Sequence, residues 1–239
     1  MTRQLKGQRI VVFGASGGIG LAAAQLCHAE GAEMTLIGRD IGKLQTASAA
    51  LPGSQWRAAD VQDGAAVAQS LASLARIDHV FISVGLGGTS SILTSDMASL
   101  RQPFEERIFG TFTIVRAAAP KMSGGSSITL MSGMNASRVR PEASAQTAAL
   151  CGVESLARTL ALDLAPIRVN AVAPGWIDTP RLERTFGAER AVRVEDIARR
   201  LPGRRIGAAD EVARAVFMLM TNAYINGEVV HIDGAGRHV

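Results

Sequence analysis

Residues 9–20 read "RIVVFGASGGIG", and this stretch decides the fold. Residues 9–13 are a short apolar run that stops at a glycine, and residues 19–30 then read as a helix. The glycines fall as Gly14-x-x-x-Gly18-x-Gly20 between strand and helix. Gly14 permits a tight turn, Gly18 lets backbone approach a pyrophosphate, and Gly20 allows the helix to pack on the sheet. The helix then turns its unpaired N–H groups and positive dipole end toward a phosphate. Ser16 and Ile19 complete the candidate set in this loop.

The pattern repeats along the chain. Strands are predicted at residues 33–38, 56–61, 78–85, 126–132, 167–175 and 228–234. Helices are predicted at residues 43–51, 65–75, 104–122, 144–164 and 210–220. Continuous apolar strands alternating with helices imply a parallel sheet covered on both faces. The expected fold class is α/β: one Rossmann-type, doubly wound parallel sheet of about seven strands with helices on both faces. Residues 1–239 form a single domain, with an arginine-rich excursion at about 176–209. No repeat or low-complexity linker divides it.

Composition narrows the class. Apolar residues make up 47% and charged residues 19%, enough to bury a substantial core. Cys27 and Cys151 are the only cysteines and read as two reduced core thiols. No apolar run approaches the roughly 20 residues of a membrane span. The start lacks a signal-peptide h-region, so a cytoplasmic protein is expected. The net charge is +4, and eight arginines lie between Arg181 and Arg205 against Glu183, Glu189, Glu195 and Asp196. They are either a solvated helical face or an attractor for an anionic small-molecule substrate. No basic helix motif or aromatic platform points to nucleic acid, and no metal-ligand cluster is evident.

The second predicted strand ends at Gly38-Arg39. An acid there suits the ribose hydroxyls of NAD, whereas a base suits a 2′-phosphate, so Arg39 favours NADP. Asp60 and Val61, after the third strand, are placed to meet adenine. Gly85, after the fourth, leaves room for the cofactor.

The chain resembles the short-chain dehydrogenase/reductases over residues 6–236. The resemblance rests on Gly14/Gly18/Gly20, "ADV" at 59–61, "SVG" at 83–85, "IRVNAVAPGWIDT" at 167–179, "LPGRRIGAADEVA" at 201–213 and "INGEVVHIDGAG" at 225–236. It implies that the segment with Pro174, Gly175, Ile177 and Thr179 wraps the nicotinamide. It also implies a homotetramer or dimer built through the two long helices and the last strand. The implied reaction is hydride transfer between nicotinamide and an alcohol or carbonyl. Its usual groups are a serine, a Tyr-x-x-x-Lys pair and an asparagine. The i,i+4 spacing puts tyrosine and lysine on one helix face. The lysine lowers the tyrosine pKa, and the tyrosine moves the proton.

Here those positions hold Gly133 (with Ser132 before it), Gln146, Leu150 and Arg107. No shift of register restores the pair. The only tyrosine is Tyr224, and the only lysines are Lys6, Lys43 and Lys121. His28, His79, His231 and His238 fall away from the expected site. The remaining candidates are Ser132, Asn135, Arg138, Arg140, Glu142 and Arg107, with Gln146 as a hydrogen-bonding group. Glu142 needs desolvation to serve as an acid. Three readings stay open: an NADP(H)-dependent oxidoreductase with a rearranged site, acting on a small carbonyl, imine or activated alkene; a non-catalytic cofactor-sensing or scaffold protein; and a lyase or isomerase on the same scaffold.

Overall fold

A computed structural model of the chain describes residues 4–85, 88 and 90–239. Residues 1–3, 86, 87 and 89 lie outside the described residues. The first half runs β1 (Arg9–Phe13), α1 (Gly18–Ala29), β2 (Glu33–Gly38), α2 (Ile41–Ala49), β3 (Gln55–Ala58), α3 (Gly64–Leu71), β4 (His79–Ile82), α4 (Met97–Phe104) and α5 (Gly110–Ala118). The second runs β5 (Ser127–Met131), α6 (Ser144–Asp163), β6 (Arg168–Pro174), β7 (Ile177–Asp178), α7 (Pro180–Phe186), α8 (Arg190–Arg200), β8 (Gly207–Ala208), α9 (Ala209–Thr221) and β9 (Val229–Ile232).

Seven strands form one sheet in the order β3-β2-β1-β4-β5-β6-β9, every pairing parallel. From β1 the chain steps outward to β2 and β3, then crosses back to lay β4 against the other edge of β1. The winding reverses there, so the carboxyl ends of β1 and β4 open the crevice where such sheets take ligands. The apolar run of β1 is continuous because both faces are covered. Val11 and Phe13 enter a cluster with Ile114, Ile128 and Val153, whereas Ile10 and Val12 enter another with Ala23, Leu36 and Val216.

Polar groups tie the edges down. The Arg168 guanidinium donates to the carbonyls of Leu219, Met220 and Ile225 at 2.8, 2.9 and 3.0 Å, satisfying the open end of α9. His79 opens β4 at the amino edge of the sheet, away from the crevice as expected. Its ring nitrogens lie 2.8 Å from Ser127 Oγ and 2.6 Å from Gln8 Oε1. Burial, then the charge of Arg168, push its pKa down to about 4 against the opposing pull of Asp78.

Two expectations need correction. The single helix over 104–122 is instead α4, a π-helical turn at Glu105–Phe109, and α5. Pro103 has no N–H to give to the helix ladder, and the Gly110 N–H reaches five residues back to Glu105 O. The expected helix begins only at 104, just past this proline, and so misses α4. Cys27 is buried, its pKa raised to about 12 mainly by desolvation, but Cys151 is exposed on α6 and is no core thiol. The excursion after β6 has structure of its own. The two-residue strands β7 and β8 pair Ile177 with Gly207 and Asp178 with Ala208, closing α7 and α8 into a flap.

Candidate functional site

The glycine loop is packed to the limit of its backbone. Gly14 has φ +81°, and a Cβ there would lie 2.1 Å from Ser83 O at the end of β4. A Cβ on Gly20 would lie 2.2 Å from Gly14 O, so only glycine lets the first turn of α1 sit on the loop. The helix starts at Gly18 after Gly17, with no side chain capping it. Its first N–H groups are therefore unclaimed by a cap, as an anion-binding terminus requires. Thr179, leading into α7, places its methyl group 3.5 Å from the position of a Gly18 Cβ and so covers the loop. Ser16 Oγ lies beside Gly38, and half-buried Ile19 packs onto the core beneath.

At the far end of the crevice, Arg39 follows β2 and Asp60 follows β3. Arg39 Nη1 lies 3.7 Å from Asp60 Oδ2, and both side chains are partly exposed. Asp60 also accepts from the Gln62 N–H at 3.0 Å. Val61 is buried, its side chain pressed against Gly110 of α5, so it forms the floor rather than an open wall. On the other side, Pro174 ends β6 and Gly175 donates to Ile232 O at 3.0 Å. A Cβ at Gly175 would fall 2.8 Å from Asp233 Cα. Ile177 is buried in β7.

Gly85 needs a different explanation from the expected one. It has φ +103°, and a Cβ there would meet Arg107 Cζ at 2.5 Å. The missing side chain makes room for a guanidinium. Arg107, in the π-helical turn, is 4% exposed and donates to Val84 O at 3.1 Å and Gly85 O at 3.0 Å. Its Nε is buried without a partner among the described residues. Desolvation, then the charge of Arg181, pull its pKa down to about 10, with Glu106 acting in the opposite sense. The group stays charged at neutral pH.

The carboxyl end of β5 meets the first turns of α6. Gly133 has Leu150 against it, the leucine methyls 3.7 and 3.8 Å from where a Cβ would stand, with Pro174 O at 3.8 Å. Leu150 is buried. Gln146 stands one turn earlier on the same helix face, 5% exposed, and its Oε1 has no hydrogen-bond partner among the described residues. Ser132 is buried and turned into α6, donating to Glu154 Oε1 at 2.9 Å and approaching Leu150 O at 3.4 Å. Its hydroxyl is therefore held by the helix. Glu142 is exposed at φ +58°, so the burial that its acid role requires is missing. Sequence reasoning missed Glu154. The signal was its place in the series 146, 150, 154, which recurs on one face of a helix.

Of the remaining expected groups, His28 contacts Pro52 O at 2.9 Å, and half-buried His231 has its Nε2 without a partner among the described residues. Lys121 bonds the carbonyls of Ala72 and Leu74, and Lys43 pairs with Asp40. Tyr224 is 98% exposed before β9. None reaches the β5–α6 junction. Among the described residues no cluster of three or more His, Cys, Asp or Glu could hold a metal ion, and no helix is long and apolar enough to cross a membrane.

Beside the junction lies a cavity of about 340 Å³, walled by Arg138 and Arg140 of the β5–α6 loop and by Trp176, Ile197, Arg200 and Leu201 of the flap. Trp176 stacks on Phe186 with ring centres 5.9 Å apart. The flap's arginines divide into two groups. Arg190, Arg193, Arg199, Arg200 and Arg205 pair with neighbouring acids. Arg181 instead lies within electrostatic range of Arg107, Arg140 and Arg184. Partial desolvation and the last two charges hold its pKa below the usual value.

Comparison with known proteins agrees with this geometry. Residues 14–236 match the family described as "Enoyl-(Acyl carrier protein) reductase". The chain is 29% identical to nodulation protein G of Rhizobium sp. (strain N33), covering 97% of each. It is 28% identical to carbonyl reductase family member 4 of Danio rerio, covering 94% of this chain and 95% of that one. A solved structure described as a short chain dehydrogenase/reductase family protein superposes with a TM-score of 0.89 at 31% identity, over 99% of this chain and 100% of the other.

Proposed function

From the premise that the chain belongs to the short-chain dehydrogenase/reductase family, we propose that it is an NADP(H)-binding oxidoreductase with a rearranged active site. The observation that carries this reading is the contrast between the two halves of the crevice. The phosphate half keeps every feature a dinucleotide needs: the tight Gly14/Gly20 packing, an uncapped α1 terminus and Thr179 over Gly18. The catalytic half holds Arg107, Gly133, Gln146 and Leu150 in place of the family's acid–base groups.

The residues fit the cofactor unevenly. Arg39 and Asp60 would flank the adenosine, and exchange of the Arg39–Asp60 contact for a 2′-phosphate contact gives the preference for NADP(H). Gly14, Ser16, Gly18 and Ile19 would line the pyrophosphate, and Pro174, Gly175, Ile177 and Thr179 the nicotinamide side. Bound nicotinamide supplies or accepts hydride. The chain's own contribution is to hold the substrate in line and exclude water. Gln146 Oε1 can accept a hydrogen bond but offers no titratable proton. Leu150 leaves the ribose without an ammonium partner. Arg107 adds a fixed positive field beside the strand ends. Without the tyrosine, carbonyl reduction forfeits a factor of about 10²–10⁴. The substrates that lose least are activated electrophiles, such as an iminium or a polarised alkene.

The test is NADPH oxidation across matched ketone, iminium and enone substrates. The expected result is turnover of the iminium or enone at rates well above the ketone, with no pH break assignable to a tyrosine. Binding of NADPH with no oxidation across the panel would instead establish the second reading, a cofactor-sensing protein. Leu150 favours that alternative, since it seals with carbon the place where the family carries a charge.

A further inference from the structure

The arginines around the cavity are unusual for what they lack. Arg138, Arg140 and Arg200 lie on its wall, Arg200 already paired with Asp196, and Arg181 of α7 lies within electrostatic range of Arg140 and Arg184. Arg138, Arg140, Arg181 and Arg184 are paired with no carboxylate among the described residues, although the rest of the flap uses its acids freely in ion pairs. Arg181 bridges the group electrostatically to the buried Arg107 behind Gly85. Guanidiniums gathered without counter-charge repel one another, and the repulsion is relieved when an anion enters between them. The wall they share is apolar and aromatic, with Trp176 backed by Phe186. A volume of about 340 Å³ is at the lower end of small-molecule sites, which span roughly 300–1,000 Å³.

We propose that this cavity seats the oxyanion end of the substrate, a carboxylate or a phosphate monoester, gripped by Arg138 and Arg140 on its wall, with Arg181 adding its charge from α7, while Trp176 receives its apolar body. Its role as a substrate site rests on the oxidoreductase reading above, but the binding itself does not. Guanidinium forks match either oxyanion in two-point geometry, and burial on the Trp176 side selects an apolar stem over a bare inorganic ion. From sequence, the eight arginines from Arg181 to Arg205 are either a solvated helical face or an attractor for an anion. The structure divides them: five pair with acids, Arg204 donates to the Arg199 carbonyl, and Arg181 and Arg184 stay without counter-charge, joined by Arg138 and Arg140 from about forty residues earlier in the chain.

Isothermal titration calorimetry of the full chain with phenylphosphate, phenylacetate and phenylacetamide at constant ionic strength tests this. NADPH is titrated separately into the same samples. At least one anion is expected to bind saturably and about tenfold or more tighter than phenylacetamide, with affinity falling as salt rises. The tighter of the two anions identifies the substrate's oxyanion. Arg140→Gln and Arg181→Gln, both at exposed positions, should each weaken that anion about tenfold and leave phenylacetamide unchanged. Arg193→Gln, whose residue pairs with Glu189, should change nothing. Equal affinity for all three probes, or anion affinity indifferent to Arg140→Gln and Arg181→Gln, would overturn the proposal. So would a loss in Arg181→Gln confined to NADPH, which would assign that arginine to the cofactor's phosphates. Anion binding in a protein that ignores NADPH would uphold this inference and remove the oxidoreductase reading. NADPH binding with no anion response would do the reverse.

Discussion

Replacing Gly85 with alanine tests the packing on which the rearranged site depends. A Cβ at this position would stand 2.5 Å from Arg107 Cζ and 2.8 Å from its Nε and Nη1. The guanidinium has nowhere to retreat, since it is almost wholly buried and tied to Val84 O and Gly85 O. Moving it sacrifices at least one charged hydrogen bond, each worth about 1.5–3 kcal/mol. Holding alanine at φ +103° adds about 1–2 kcal/mol of backbone strain. The expected loss is therefore about 3–5 kcal/mol in urea unfolding followed by tryptophan fluorescence. A double-mutant cycle separates the two contributions. In an Arg107→Ala background the clash is gone, and Gly85→Ala should cost only the strain, about 1–2 kcal/mol. An equal cost in both backgrounds would show that Gly85 is required by its dihedral angle alone, and that Arg107 does not occupy the space described.

Two further outcomes follow from buried groups. His79 titrates at about 4 in the folded chain against 6.5 when free. The unfolded state therefore takes up a proton first as pH falls below 6.5. Stability fully present above that pH is lost progressively down to about 4, by about 3 kcal/mol in all. His79→Gln should flatten this dependence between pH 7 and pH 5; an unchanged slope would locate the acid sensitivity elsewhere. A thiol reagent applied to the native protein should modify Cys151 quickly and Cys27 only on unfolding. Equal rates would contradict the buried position of Cys27 under α9.

Much of the fold was legible because each strand carries its own evidence. Residues 9–13 are apolar throughout since both faces of β1 are buried, and the glycine spacing fixes the turn that follows. What escaped was set by contacts between distant residues. Pro103 broke the helical pattern and concealed α4, and the π-helical turn that follows it packs closely against α6, where a Cβ on Gly152 would sit 2.8 Å from Ile108 Cδ1. The absence of tyrosine and lysine from the site was plain from composition. The use of the remaining groups was not. Ser132 looked available but its hydroxyl is spent on Glu154, and Gly85 looked like cofactor space but faces Arg107. Side-chain direction depends on the partner across the interface, which no local pattern encodes. The same limit applied to the flap, where only three-dimensional placement separates paired arginines from unpaired ones.

The central claim is that a dinucleotide binds the intact half of the crevice, and direct titration of NADPH and NADH into the full chain tests it most directly. Followed by nicotinamide fluorescence, NADPH is expected to saturate the protein more tightly than NADH. Arg39→Asp should abolish that preference while leaving the unfolding curve unchanged. Failure of both cofactors to bind at millimolar concentration would contradict the account.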